Sequence, residues 1–489
     1  MDIQDIRSSF KETYKNTWDS KSVGNVPIRV YANKDIFKKI EGDVFKQATN
    51  AANLPGIIGY SYLFSDAHIG YGVPVGWMGA FDAAEGIISP GIVGFDINCG
   101  MRLIRTNMSL NEVKPKIKEL IDTLFKIVPA GVGSKSTGLV PELKHLNNND
   151  MNSISEEGID WAIRKGYATK KDKERIEERG VLKYAEFSKV SKDAVKRGKE
   201  QLGTLGSGNH YLEVQTIKED FNKDVANKLD LDTIKNQVVI MLHTGSRGFG
   251  HQIASDYISR FLKYDEKNKI NLDDKQLAYA SFNSDDGQDY LKAMACAANF
   301  SFVNRQLITH QIREAFKKTF KKSENDMGLE IVYDVAHNTA KTEEHIVNGR
   351  KSVLVVHRKG ATRNFGPKNK ELNGVLKSTG QPVIIGGSME TGSYLCVGTK
   401  KSELESFGTT LHGSGRTMSR VKAREVIEGK KLVNELEKKG IYVKSNSLNG
   451  LIEEGGAAYK DIDQVVNSMH DAGISLKVLK LVPIGNIKG

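Results

Sequence analysis

Three short apolar runs, residues 237–242, 330–333 and 351–356, are rich in β-branched side chains and too short for buried helices. They predict strands covered on both faces. Each is followed closely by a histidine (His243, His337 and His357) and then by a polar or glycine-bearing turn. Helical spacing appears over 111–128, where Val113, Ile117, Leu120, Ile121, Leu124 and Ile127 share a face. Residues 289–322 carry a second apolar stripe that ends in Lys317, Lys318, Lys321 and Lys322. The stretch 164–201 is dense in charge and predicts a helical excursion. Strands and helices do not alternate regularly, which predicts an α+β fold rather than a doubly wound sheet. No repeat and no linker-like tract divides the chain.

Composition adds little to this picture, except for charge. The 489 residues carry a formal net charge of +11, with 39% hydrophobic and 27% charged positions. A basic surface attracts polyanions such as nucleic acid, while a lysine-rich solvated surface gives the same count. Three cysteines form no disulfide framework and suit a reducing compartment. The first 19 residues lack the apolar segment of a signal peptide, and no run is long enough to span a membrane. A cytoplasmic location is expected.

Candidate chemistry concentrates in glycine-rich turns. Asp96 and Cys99 lie three apart beside Gly94 and Gly100. Carboxylate and thiolate together bind divalent transition metals, although the pair alone reads more readily as a buried cysteine near a turn aspartate. His210, which follows Asn209 in a glycine turn, and the strand-end His243 and His337 shift that balance. Together the five offer S, N and O donors for two adjacent metals sharing the thiolate. Ligand type favours manganese or zinc over magnesium or calcium, without choosing between the first two. Further on, His412 sits among small residues, followed by Arg416 and Arg420. Guanidinium forks suit phosphate, and an imidazole beside them can attack phosphorus. Asp66 is a candidate to orient that imidazole. Neither a G-x-x-x-x-G-K-[ST] loop nor a K-x-D-G motif is present. His337-Asn338-Thr339 and His412-Gly413-Ser414 also fit the paired H-x-[ST] pattern of a metal- and GTP-independent cyclic phosphodiesterase, which is the alternative reading.

From Asp66-Ala67-His68-Ile69-Gly70-Tyr71-Gly72 to the final Lys488-Gly489 the sequence resembles the RtcB family of tRNA-splicing and RNA-repair ligases. The blocks that carry the resemblance are 89–100, 206–210, 243–248, 336–338, 357–363 and 412–416. It implies one α+β catalytic unit over 1–489, with layered sheets flanked by helices and an active site in strand-end loops. Asp96, Cys99, His210, His243 and His337 are implied as ligands of two Mn2+ ions bridged by Cys99, and His412 as the histidine that GTP guanylylates. Asn209, Asn338, Ser388 and Arg416 fall where the family binds phosphates or nucleotide. Glu213, Ser393, Tyr459 and Lys488 fall where it embraces guanine and ribose. The implied reaction joins a 3′-phosphate or 2′,3′-cyclic phosphate RNA end, as in tRNA halves, to a 5′-hydroxyl end. Basic surface including Arg247, Arg420 and the 164–201 stretch would hold the RNA. Archease, a small activating protein, often accompanies family members. Ser65, Ala67, Trp77 and Glu390 depart from the usual pattern and bear on substrate preference more than on chemistry.

Overall fold

In a computed structural model, residues 3–489 are described except 132, 137, 138, 269 and 271. The three apolar runs are the strands Gln237–Thr244, Glu330–Ala336 and Arg350–Lys359. In the first, successive side chains pack into two different cores. Val238, Ile240 and Leu242 join the amphipathic helix Ile117–Ile127, while Val239 and Met241 join Leu103, Tyr333 and Leu395 on the opposite face. Both faces are therefore covered, which is why the run shows no polar alternation.

The architecture is mixed α+β, with two large sheets. One has seven strands in the order Lys11–Tyr14, Thr17–Ser22, Pro27–Tyr31, Ile57–His68, Val75–Asp82, Arg350–Lys359, Asn338–Val347. The other runs Glu330–Ala336, Gly100–Ser109, Gln237–Thr244, Tyr211–Asp220, Ser475–Lys488, Ser393–Gly398, Pro382–Ile385, with Tyr442–Ser445 added beside Ser475–Lys488. Its first and last strands touch, so it curls toward a barrel. Only His337 separates the edge strand of one sheet from the edge strand of the other.

The first four strands of the second sheet pair antiparallel. Ala336 lies opposite Gly100, Gly100 opposite Thr244, and Tyr211 opposite His243. Alternate strands of an antiparallel sheet leave and arrive at the same edge. Residues 337, 99, 243 and 210 are thereby delivered to one rim.

The helix expected over 289–322 is Asp285–Phe320. It starts earlier because the Ser284 hydroxyl accepts the Gly287 N–H at 3.1 Å, and Asp285 and Asp286 favour the first turn. The 111–128 stretch is interrupted at Lys114–Lys116, a tight turn containing Pro115. The excursion over 164–201 is less helical than its charge implies. Short helices end at Arg164, span Lys170–Glu174 and span Lys192–Gln201, with turns at Glu177–Gly180 and Phe187–Lys189. Two of its acids are buried: Asp172 pairs with Arg313 at 2.7 Å, and Glu177 lies between Arg363 and Lys341 and accepts the Ala336 N–H at 3.0 Å. That tertiary demand outweighs local helix propensity. No helix among the described residues is long and apolar enough to cross a membrane.

Beneath the rim, Asp334 accepts from Arg102 Nε and Arg305 Nε, both at 2.7 Å, with all three side chains fully buried. Removing one member of such a group leaves an uncompensated buried charge. Asp334→Asn is expected to destabilise the protein by about 3–5 kcal/mol, read as a lowered denaturant midpoint.

Candidate metal centre and active site

The rim residues converge. Cys99 Sγ lies 3.4 Å from His210 Nε2 and 3.2 Å from His243 Nε2, and His243 Nε2 lies 3.2 Å from His337 Nε2. Asp96 Oδ2 lies 2.9 Å from His210 Nε2. The donor atoms form two groups able to hold a metal ion, Cys99/His243/His337 and Asp96/Cys99/His210, which share the thiol.

Their surroundings suit cations. His243 Nδ1 faces the Asn209 carbonyl at 3.1 Å, and a carbonyl can only accept, so the ring proton sits on Nδ1 and the Nε2 lone pair points into the cluster. His210 Nδ1 has the Leu205 carbonyl at the same distance, with the Arg247 guanidinium slightly farther at 3.4 Å. Burial, then the neighbouring histidines, hold His243 and His337 well below the usual imidazole value. Burial and Asp96 push the Cys99 thiol well above its own. Lone pairs facing one another at about 3 Å in a dry site repel unless a cation lies between them. The donor set therefore fits metal.

Backbone and buried side chains hold these loops. Arg305, on the long Asp285–Phe320 helix, donates from Nη1 to the carbonyls of Asn98 (2.9 Å) and Thr244 (3.1 Å), each next to a residue of the donor cluster. Asn98 adopts a left-handed φ of 56°, and its N–H is taken by the Asn338 carbonyl at 2.8 Å. Asn338 also donates to the Asp96 carbonyl at 3.1 Å and accepts the Gly360 N–H at 2.9 Å.

His412 follows the short strand Thr409–Leu411 and stands beside the cluster, its ring centroid 4.7 Å from that of His337. His412 Nδ1 donates to Asp66 Oδ2 at 2.7 Å, and the same oxygen accepts the His412 N–H at 3.1 Å and the Gly413 N–H at 3.3 Å. Asp66 is fully buried; burial acts to raise its carboxyl, but the contacts with His412 outweigh this and its pKa falls below the ordinary value. The imidazole is thus turned with Nε2 away from Asp66.

A cavity of about 700 Å³ connects these groups. Asp96, Cys99, His210, His243, His337 and His412 line it, together with Asn209, Asn338, Arg416, Arg420, Tyr459 and Lys488. Arg416 donates to the Tyr459 hydroxyl at 3.1 Å and to Glu454 at 3.3 Å, and Lys488 Nζ lies 4.7 Å from the Tyr211 ring centre. Arg420 reaches the mouth, half-exposed and 3.4 Å from Glu454. Glu213, Ser388, Ser393 and Arg247 do not line the cavity. Glu213 is buried behind the wall, accepts from Gln215 at 2.6 Å and from Asn486, and is pushed up to about 7 by burial. Gln215 continues to the Ser393 hydroxyl at 3.2 Å, which accepts the Gly387 N–H. Ser388 bonds to Thr391. Arg247 packs against His210 and Thr204 rather than facing solvent.

Lys359 was not singled out from sequence, yet it lines the cavity beside Asn338. Its ammonium donates to the carbonyls of Gly91 (3.0 Å) and Tyr71. Burial lowers it to about 7. The signal was available, since a lysine that ends a β-type run next to the buried His357 and Arg358 calls for an explanation. Trp77 and Ser65 are structural: the Trp77 indole donates to Ser61 at 2.8 Å and Ser65 to the Val465 carbonyl at 2.8 Å. Glu390 ties its loop to the Gly456 N–H.

A buried thiol–imidazole–carboxylate cluster able to hold metal ions, opening beside a carboxylate-held imidazole, is equipment suited to metal-assisted chemistry on an anionic substrate. Comparison with known proteins makes this specific. A family model described as tRNA-splicing ligase RtcB matches residues 47–489, and the chain belongs to the RtcB family. Relatives named tRNA-splicing ligase RtcB include one from Methanococcus maripaludis, 48% identical over 479 residues and 98% of each chain. Another, from Thermococcus kodakarensis, is 48% identical over 95% of each chain. One from Nanoarchaeum equitans is 46% identical over 97% of this chain and 98% of its own.

Two outcomes follow from this geometry. Cys99→Ala removes the atom common to both donor groups, so Co2+ titration should lose its thiolate-to-metal absorption band, while Cys296→Ala, remote and buried, should retain it. Lys359 is cationic below its pKa of about 7 and neutral above it. Metal-free binding of inorganic triphosphate, followed by calorimetry, should weaken as pH rises from 6 to 8, and Lys359→Met should bind weakly throughout.

Proposed function

We propose that this protein is a GTP-dependent RNA ligase that joins 3′-phosphate or 2′,3′-cyclic phosphate ends to 5′-hydroxyl ends through a guanylylated His412. The observation that carries the reading is the position of the Asp66-held imidazole beside the Cys99-centred donor cluster, across one cavity. Membership of the RtcB family supports RNA as the substrate class.

Asp96, Cys99, His210, His243 and His337 would hold two divalent ions, manganese in this reading, which when bound draw charge from substrate phosphates. GTP is consumed as a substrate. With its Nδ1 proton held by Asp66, His412 presents the Nε2 lone pair to the α-phosphorus; the N–P bond forms as pyrophosphate leaves. Asp66 stabilises the positive charge that develops on the ring, the role of a buried carboxylate behind a reacting imidazole. Asn209, Asn338, Arg416 and Lys359 supply donors for phosphate oxygens, and Tyr459 and Lys488 bound the far end where the guanosine would lie. Glu213, Ser388 and Ser393 act from behind the Gly386–Gly387 wall, completing the guanosine end of the pocket. A cyclic phosphate end is first opened to a 3′-phosphate, which then takes GMP from His412. The 5′-hydroxyl attacks that phosphorus, GMP departs, and a 3′,5′ linkage remains. Arg420 at the mouth, and Arg247 through its hold on His210, serve the RNA-bearing side. Archease is a candidate partner, and the whole chain is read as one catalytic unit.

The test is a covalent one. Protein incubated with Mn2+ and GTP labelled at the α-phosphate should trap acid-labile GMP, and His412→Ala should trap none. Asp66→Asn should slow adduct formation by roughly 10²–10⁴-fold. Absence of adduct in the unaltered protein, with strands still joined or a cyclic end merely opened, would overturn the reading in favour of a GTP-independent enzyme.

A further inference from the structure

The strand Ile57–His68 brings Asp66 to the site, but its pairing with Val75–Asp82 is interrupted between Leu63 and His68. Such breaks leave main-chain groups without ladder partners and re-aim side chains. Three successive carbonyls in this one are capped by side chains. Lys460 Nζ donates to those of Ser65 (3.1 Å) and Ala67 (2.6 Å), and His68 Nδ1 donates to that of Asp66 (3.0 Å).

The main chain of Lys460 reaches the other half of the pair. Residues 458–460 run beside 415–417: the Lys460 N–H donates to the Gly415 carbonyl and the Thr417 N–H to the Ala458 carbonyl, both at 2.9 Å. Arg416 and Tyr459 are bridged between them. Gly415 lies in the turn that follows His412, with a φ of 71°, and a Cβ there would fall 2.1 Å from the Asp66 carbonyl oxygen. Lys460 therefore holds the Asp66 segment by its ammonium and the His412 turn by its amide.

Asp66 needs that hold. Its Oδ2 takes three donors, all from residues 412 and 413, while Oδ1 has no hydrogen-bond partner among the described residues. A carboxylate gripped by one oxygen can swing about that contact, so its aim is set by its main chain. A buried carboxylate also calls for a counter-charge. Burial alone would raise the Asp66 carboxyl; after the contacts with His412, the Lys460 ammonium is the next influence that lowers it. Burial draws the ammonium itself down to about 8, against the pull of Asp66 and Glu41, so it is charged at neutral pH.

We propose that Lys460 is a positioning residue, setting the Asp66 strand against the His412 turn so that the imidazole keeps its proton on Nδ1 and its lone pair on Nε2. Its bearing on catalysis rests on the ligase reading above. Lys460 lines a second cavity of about 410 Å³ and not the one in which the phosphates would lie, so it acts through Asp66 and touches no reacting atom.

The experiment uses full-length protein with isotopically labelled histidine, and His412→Ala assigns the signal. Nitrogen shifts in NMR separate a protonated ring nitrogen from a bare one, so the tautomer is read with neither GTP nor metal present. The unaltered protein is expected to show His412 protonated at Nδ1. Lys460→Met should move both ring nitrogens toward the average of the two tautomers, and Lys460→Arg, which restores charge and donors, should return them. In parallel, single-turnover adduct formation from labelled GTP should slow by roughly 10–10²-fold in Lys460→Met, the scale of a small misplacement, and recover to within a few-fold in Lys460→Arg. The GTP concentration for half-saturation should change little. Where Lys460→Met folds poorly, Lys460→Gln keeps a shorter donor and should shift the tautomer in the same direction. An unchanged tautomer in Lys460→Met, or in Lys460→Gln in its place, would overturn the proposal whatever the adduct rate, and would leave the ligase reading intact. Failure of the unaltered protein to form adduct would instead overturn the ligase reading, and the nitrogen shifts would still decide whether Lys460 sets the imidazole.

Discussion

Strand register is the constraint from which the site follows. Four neighbouring strands run alternately up and down, so the residue just outside each, or at its end, meets the others at one edge. A slip of one residue by the strand Gln237–Thr244 against its neighbours would turn His243 to the opposite face, because side chains alternate along the strand. The packing that fixes this register runs back from the rim along the strand. Val238, Ile240 and Leu242 are locked on one side and Val239 and Met241 on the other, so the strand that bears His243 has no freedom to slip.

Charge deep in the protein serves the same end. Arg305 is bound to Asp334 by two hydrogen bonds and spends its remaining donors on carbonyls beside Cys99 and His243. Glu177 anchors the N–H of Ala336, one residue before His337. These ions contribute little net stability once desolvation is counted, and their value lies in fixing where loops of unusual geometry can go. The left-handed Asn98 is the clearest case: its backbone is held from three sides, which offsets the cost of that conformation.

Much of this was legible in the sequence. The buried strands, the histidines that follow them and the glycine-bearing turns gave the α+β class and all five metal-ligand candidates, because apolar runs and turn residues are local signals. Asp66 could be named only as a guess, since its partner His412 lies 346 positions away and no periodicity reports such a contact. The excursion over 164–201 is broken into short helices for a related reason: Glu177 and Asp172 are satisfied by distant arginines and lysines, and composition cannot tell an inward acid from a solvated one. Glu213 and Ser393, recognisable by resemblance, prove to stand behind the cavity wall, a distinction that depends on which side of a strand faces the opening.

His337 is also the one residue between the edge strand of the second large sheet and the edge strand of the first. An ion gripped there would be held by the rim of the second sheet at the point where the chain enters the first, and whatever free energy it contributes would oppose fraying of that junction. Filling the site and fixing the junction would then be one event, so depletion of the ion would loosen this turn of the chain as well.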